Sequence, residues 1–124
     1  MSKKKSILIV DDEFFLAETL KGRLEHNGYS VFYAENGAMA LSVLEKTPCD
    51  LILMDAIMPV MDGLEATKQI KAQKKLKKIP IIFLTVRARP EDRQAALSLG
   101  ANDYITKPFE SETLMSKVEE WLKK

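Results

Sequence analysis

Five side chains each stand at or just beyond the end of an apolar run: Asp11 and Asp12 after Ile7–Val10, Asp55 after Leu51–Met54, Thr85 after Ile81–Leu84, and Lys107 after Tyr104-Ile105 and Thr106. Brought together, three carboxylates, a hydroxyl and an ammonium have a definite chemistry. Carboxylates near 4 Å apart repel by about 4 kcal/mol per pair at an effective dielectric of 20. A hard divalent cation relieves that repulsion, and Mg²⁺ takes a few carboxylates while keeping several waters that phosphate oxygens can replace. A carboxylate beside such an ion can attack phosphorus and form an acyl phosphate. Lys107 and Thr85 would then each take a phosphoryl oxygen, since phosphoryl transfer asks mainly for positioning and charge neutralisation. Singly, each residue has a plainer reading. Asp11 or Asp12 could cap a helix, Thr85 could bond its own backbone, and Lys107 could be a solvated surface lysine. Asp55 is the hardest to dismiss, because it follows four apolar residues. The joint placement carries the weight.

That chemistry needs a scaffold that collects residues far apart in the chain. Apolar bursts at Ile7–Val10, Val31–Tyr33, Leu51–Met54, Ile81–Leu84 and Tyr104-Ile105 alternate with amphipathic stretches. Three bursts are continuous and aliphatic, as strands buried on both faces should be; Tyr33 and Tyr104 suit the other two to sheet edges. The alternation predicts a single α/β domain of five βα units, a parallel sheet with helices on both faces. In such a sheet the C-terminal ends of all strands share one edge, where ligands collect. The second run is followed only by Ala34-Glu35 and lies outside the cluster.

The intervening helices carry their own signals. Leu16, Leu20 and Leu24 repeat at four and stop at Asn27-Gly28, a C-terminal turn pattern. Ala38, Leu41 and Leu44 follow Asn36-Gly37 and end before Pro48, and Leu64, Thr67 and Ile70 follow Asp62-Gly63. Ala95, Ala96 and Leu99 end at Gly100, with Pro90 suited to the first turn. Leu114, Val118 and Trp121-Leu122 form the last stripe, with Ser111 as its expected cap.

Composition bounds the function. A chain of 124 residues, 46% hydrophobic and 30% charged, reads as one domain that can bury a core without staples. Nineteen Lys+Arg against 18 Asp+Glu give no global pull toward nucleic acid or acidic lipid. The single cysteine, Cys49, excludes an internal disulfide and fits a reducing compartment. The charged start, Met1 to Lys5, precedes only the short run Ile7–Val10, too brief for a signal-peptide core or a membrane span. A cytoplasmic location is expected. Lys68, Lys71, Lys74, Lys75, Lys77 and Lys78 read as a solvated helix end and loop; no aromatic residues interleave them to suggest nucleic-acid binding. His26 suits a helix C-terminus, Cys49 reads as packing, and Met58 and Met61 as packing rather than Mg²⁺ ligands. Trp121 fits either the core or a partner surface.

These segments, in this order, resemble the receiver domain of two-component response regulators over essentially the whole chain, 1–124. Ile7–Val10 with Asp11-Asp12-Glu13 is similar to the family's first strand and acid pair. Leu51–Met54, Asp55, Met58-Pro59 and Met61-Asp62-Gly63 are similar to its phosphoacceptor strand and loop. Leu84-Thr85 and Asp103 to Phe109 are similar to its switch-hydroxyl and lysine segments. The resemblance implies a flavodoxin-like fold with strand order 2-1-3-4-5. It implies that Asp55 accepts phosphate from a sensor histidine kinase or a histidine phosphotransfer protein, the domain catalysing only its own phosphorylation and autodephosphorylation. It implies Mg²⁺, or Mn²⁺ in its place, held by Asp11, Asp12, Asp55 and the backbone carbonyl of Ile57. Lys107 would pair with the phosphate, Thr85 would swing toward it, and Tyr104 would move inward. The face of the fourth helix, fifth strand and fifth helix would then act on a downstream effector or a fused output domain, as a monomer or a weak phosphorylation-dependent dimer. A cis Lys107-Pro108 bond is also implied, against about 5–6% for X–Pro bonds at large.

Val86 stands where the family mostly has Ala or Gly, and Ile57 is an aliphatic neighbour of the path to Asp55. Both predict slow autodephosphorylation. A haloacid-dehalogenase-type phosphatase, which wants a nucleophile and an acid two residues apart after one strand, fits poorly: here Asp11 is followed by a run of two further acids, Asp12 and Glu13, and there is no cap domain. A nucleotide-binding domain lacks its glycine-rich loops. The serious rival is a receiver-fold interaction module that never carries phosphate. The chain ends after the fifth stripe at Lys124 with no output domain, as a free-standing regulator or a piece of a longer protein would.

Overall fold

The computed structural model describes residues 4–86 and 89–123. Ten elements alternate: β1 Ser6–Val10, α1 Phe14–His26, β2 Ser30–Ala34, α2 Gly37–Lys46, β3 Leu51–Met54, α3 Gly63–Ala72, β4 Ile81–Thr85, α4 Pro90–Ser98, β5 Asp103–Thr106 and α5 Ser111–Leu122. The strands form one parallel sheet of order β2-β1-β3-β4-β5. Its central strands are buried along their whole length in β3 and β4, while β2 and β5 take the edges. The tyrosine-bearing runs therefore lie where their mixed composition placed them.

Alternation along each strand sorts the core into two halves. Leu8, Val10, Ile52, Met54, Ile81 and Phe83 face α2, α3 and α4. Ile7, Ile9, Leu51, Leu53, Ile82 and Leu84 face α1 and α5. The sheet is thus a sandwich filling, apolar on both sides, which is why its strands read as unbroken aliphatic runs.

The caps follow the sequence in part. Asn36 and Asp62 accept the backbone N–H groups of Met39 and Glu65 at 2.9 Å each, closing the starts of α2 and α3. Pro90 opens α4 as expected. Ser111 does not cap α5: it is the first helical residue, and Glu110 precedes it with no side-chain bond to the helix. The α4 stripe is also thinner than its alanines suggested, for only Ala96 is buried and Ala95 faces out.

One lysine of the basic cluster is structural. The Lys71 ammonium donates to the carbonyls of Lys77 and Ile79 and to Asn102 Oδ1 at 3.0, 2.9 and 3.3 Å, tying two connections at the N-terminal edge of the sheet. Burial pulls its pKa below the usual lysine range. Gly100, at φ +112°, passes so close that a Cβ there would meet Lys71 Cγ at 2.8 Å. The other five lysines are exposed.

Thr67 offers a clean stability test. It is fully buried on α3, and no described protein group lies within hydrogen-bond reach of its hydroxyl. Burying a hydroxyl without a partner costs about 1–3 kcal/mol. Thr67→Val keeps the shape and removes the hydroxyl, so it should raise stability by about 1 kcal/mol. Thermal unfolding should show a midpoint a few degrees higher; an unchanged or lower midpoint would refute the orphaned-hydroxyl account.

Candidate functional site

The C-terminal ends of β1, β3, β4 and β5 meet on one rim because ladder bonds run past the last strand residues. Asp11 N–H donates to Ala34 O at 3.1 Å, Asp55 N–H to Val10 O at 2.9 Å, and Lys107 N–H to Thr85 O at 2.7 Å. Each functional backbone is therefore an extension of the sheet rather than a free loop. Asp11 and Asp55 are buried at 1% and 7% exposure, while Asp12 is exposed.

Asp11, Asp12 and Asp55 each offer a carboxylate oxygen within 4.8 Å of the others. The Lys107 ammonium enters from just past the end of β5 and bonds Asp11 Oδ2 at 2.8 Å, Glu13 Oε1 at 2.8 Å and Asp55 Oδ2 at 3.4 Å. Burial lowers the ammonium's proton affinity, but the bonds to Asp11 and Glu13 and the charges of Asp11 and Asp55 outweigh it and lift its pKa above the usual lysine range. The pocket thus favours the charged form of the lysine. Burial acts on Asp55 in the opposite sense and raises its pKa, aided by Asp11, against the lowering from the Ile57 N–H and from Lys107.

The loop after β3 is braced from both ends. Ile57 N–H donates to Asp55 Oδ1 at 3.2 Å, which orients the carboxylate. Gly63 N–H donates to Ala56 O at 3.0 Å, and a Cβ on Gly63 would lie 2.1 Å from the Asp55 carbonyl oxygen. Only glycine lets α3 start that close to Asp55. Gly37 N–H, at the start of α2, donates to Met61 O at 3.0 Å. Between these anchors Val60 has φ +70°, with Met61 N–H donating to Pro59 O at 2.8 Å. A branched residue there is strained. The side chains of Ile57, Val60 and Val86 all face solvent.

Thr85 is fully buried at the end of β4, in register with Thr106 of β5. Tyr104 is buried too, its ring stacked on Phe83 with centroids 6.3 Å apart, so it already occupies an inward position. Lys107–Pro108 is cis. Met58 packs in the core, as its apolar reading predicted, with Met61 against it. His26 sits in the last turn of α1. The Cys49 thiol donates to Leu51 O at 3.1 Å, and burial pushes its pKa up to about 11, so it is no thiolate at neutral pH.

Three participants escaped the sequence. Glu13 is a direct partner of Lys107. Tyr33 donates its hydroxyl to the Asp11 carbonyl at 2.7 Å. Asp103 accepts from Trp121 Nε1 at 2.9 Å and Lys117 Nζ at 3.1 Å, pinning α5 to β5. Burial would raise the Asp103 carboxyl, but these donors and the Tyr104 N–H hold it below the usual range. Trp121 thus has its indole N–H turned inward. Neighbouring acids in a motif were the only signal for Glu13; Tyr33 carried only an edge-strand signal and Asp103 only its place in the lysine segment.

The donor set suits a hard divalent cation. All three acids supply oxygen, one stays open to water, and with Glu13 also on the lysine the single ammonium leaves the carboxylates in excess. No helix among the described residues is long and apolar enough to cross a membrane.

Comparison with known proteins gives a consistent result. The family model described as the response regulator receiver domain matches residues 7–119. The alkaline phosphatase synthesis transcriptional regulatory protein PhoP of Bacillus subtilis is 39% identical over 97% of this chain and 49% of its own; the chain spans about half the length of the curated relatives it matches. The signal receiver domain of a signal transduction histidine kinase from Syntrophus aciditrophicus is 41% identical, covers 96% of this chain and 90% of its own, and superposes with a TM-score of 0.89. The receiver domain of a sensor histidine kinase from Pseudomonas aeruginosa, described with a magnesium ion coordinated in its active site cleft, is 35% identical over 98% of this chain and 100% of its own, with a TM-score of 0.90.

Proposed function

Because the chain belongs to the response regulator receiver domain family, we propose that it is a phosphoacceptor switch in which Asp55 takes a phosphoryl group from a phosphohistidine on a sensor histidine kinase or a histidine phosphotransfer protein. The observation that carries this reading is the convergence of Asp11, Asp12 and Asp55 within 4.8 Å, with the Lys107 ammonium bonded to two of them. Residues 96 positions apart meet there, and a purely structural core has no use for such charge.

Asp11, Asp12, Asp55 and the Ile57 carbonyl would hold Mg²⁺, or Mn²⁺ in its place, which when bound supplies charge neutralisation for the transferring phosphoryl group. The chain's own groups do the rest. Ile57 N–H holds one Asp55 oxygen in place, leaving the other to attack phosphorus as the bond to the histidine nitrogen breaks. Lys107 neutralises a phosphoryl oxygen, and the Thr85 hydroxyl donates to another. The new group brings roughly −1.5 to −2 charges and three acceptors. Tyr104 exchanges between the buried position on Phe83 and an exposed one, and loading favours the buried one. The surface of α4, β5 and α5 changes with it and selects a downstream effector or a fused output domain. The domain, 1–124, acts in the cytoplasm as a monomer or a weak loading-dependent dimer and is not an enzyme toward other substrates.

The test is intact mass after incubation with acetyl phosphate, with and without Mg²⁺. A one-phosphoryl gain that requires Mg²⁺ is expected. No gain, in wild type and in Val86→Ala alike, would point instead to a receiver fold used only for protein contact.

Val86 bears on the rate. It is 65% exposed and lines one groove with Lys107, Pro108 and Phe109, while Ile57 is 45% exposed beside Asp55. Both narrow the approach of water. Val86→Ala should speed loss of the phosphoryl group severalfold, read as decay of the phosphorylated mass after the donor is removed. An unchanged decay would dismiss the steric role.

A further inference from the structure

We infer that Glu13 is a positioning residue that acts through Lys107, holding the ammonium toward Asp11 until a phosphoryl oxygen on Asp55 takes Glu13's place. The inference rests on the phosphoacceptor reading for its final step only.

Lys107 has three N–H donors, and three carboxylates share them at unequal distances. Asp11 and Glu13 each lie at 2.8 Å, Asp55 at 3.4 Å. The ammonium is therefore drawn to the β1 side of the pocket. The partners also differ in how readily they can let go. The Asp11 side chain is 2% exposed and the Asp55 side chain 9%, whereas the Glu13 side chain is 59% exposed. Water can solvate a released Glu13 carboxylate at little cost; it has far less access to the other two.

The start of α1 points the same way. Glu13 is the N-cap residue of α1, yet its side chain makes no bond to the helix. It reaches instead to Lys107, just past β5, while its backbone is fixed by Glu13 N–H donating to Asp11 Oδ1 at 2.8 Å. The cap has been diverted to the lysine. A phosphoryl group on Asp55 presents a stronger acceptor from the side where Lys107 is held loosely, so loading trades the Glu13 bond for a phosphoryl bond.

Two substitutions separate this contact from general charge. Glu13→Gln removes the anion. Glu13→Asp keeps the anion but is one methylene short of Lys107. The first readout needs neither metal nor phosphate: the ¹⁵N-resolved NMR signal of the Lys107 ammonium in metal-free protein. That signal should be shifted or broadened in both variants, with Lys71 as the internal control. The second readout is the initial rate of phosphoryl incorporation from acetyl phosphate with Mg²⁺. Both variants should load faster, by up to about fivefold, the ceiling for a partly exposed ion pair. An unshifted Lys107 signal would overturn the inference, as would a Glu13→Asp rate equal to wild type beside a faster Glu13→Gln, which is charge repulsion without positioning. Failure of every protein, wild type included, to load would count against the phosphoacceptor reading alone, because the Lys107 signal still decides the positioning.

Discussion

Asp55→Asn should lose Mg²⁺-dependent phosphoryl incorporation by on the order of 10³-fold or more. The amide has the same shape, but its oxygen is a far weaker nucleophile than a carboxylate. The substitution leaves the surroundings intact. Asn oxygen can still accept the Ile57 N–H, and the close approach of Gly63 is to the Asp55 backbone, not its side chain. Stability should hold or rise, because Asp55 is buried beside Asp11 and its pKa is already raised mainly by burial. A folded variant that fails to load therefore reports on the nucleophile. The measurement is intact mass beside wild type, with unfolding midpoints for both. A full gain in the Asn variant would place the phosphoryl group on another residue.

Lys107→Ala should destabilise the metal-free protein by about 3–5 kcal/mol, the usual cost of removing one partner of a buried ion pair. The ammonium side chain is 8% exposed, and its loss leaves Asp11 and Asp55 facing each other without a counter-ion. Mg²⁺ should reverse much of this. In wild type the lysine already occupies Asp11 Oδ2 and Asp55 Oδ2, so it competes with a divalent ion for the same oxygens. In the variant they are vacated, and a ligand that binds only the folded state stabilises in proportion to the logarithm of its concentration over Kd. Urea unfolding with EDTA and with Mg²⁺ checks both parts. The Mg²⁺-induced rise should be larger in Lys107→Ala than in wild type, and an equal or smaller rise would show that lysine and metal do not share ligands.

Much of the site was legible because a parallel sheet turns a local pattern into a spatial one. An acid after an aliphatic run lies at the C-terminal edge whichever strand it follows, so Asp11, Asp12, Asp55 and Thr85 could be placed on one rim from the pattern alone. The misreadings share a different cause. Ser111, Ala95 and Lys71 were read from residue type at a helix end, in a stripe or in a charge run. Their outcomes depended on neighbours from elsewhere: the connection leading into α5, the single face of α4 that meets the sheet, and the carbonyls of Lys77 and Ile79 that enclose a lysine. Asp103 was likewise silent, because its donors Lys117 and Trp121 arrive from α5.

The sequence by itself determined the order of elements, the strands that fill the sheet, and the edge on which the acids stand. Those follow from periodicity and from the geometry of parallel strands, which depend on few residues at a time. Only the tertiary structure decided what each long side chain holds. Lys107 reaches Glu13 across 94 positions and prefers it to Asp55, and no local pattern encodes that. The choice comes from the distances and the differing burial of three carboxylates, quantities that exist only once the strands have packed.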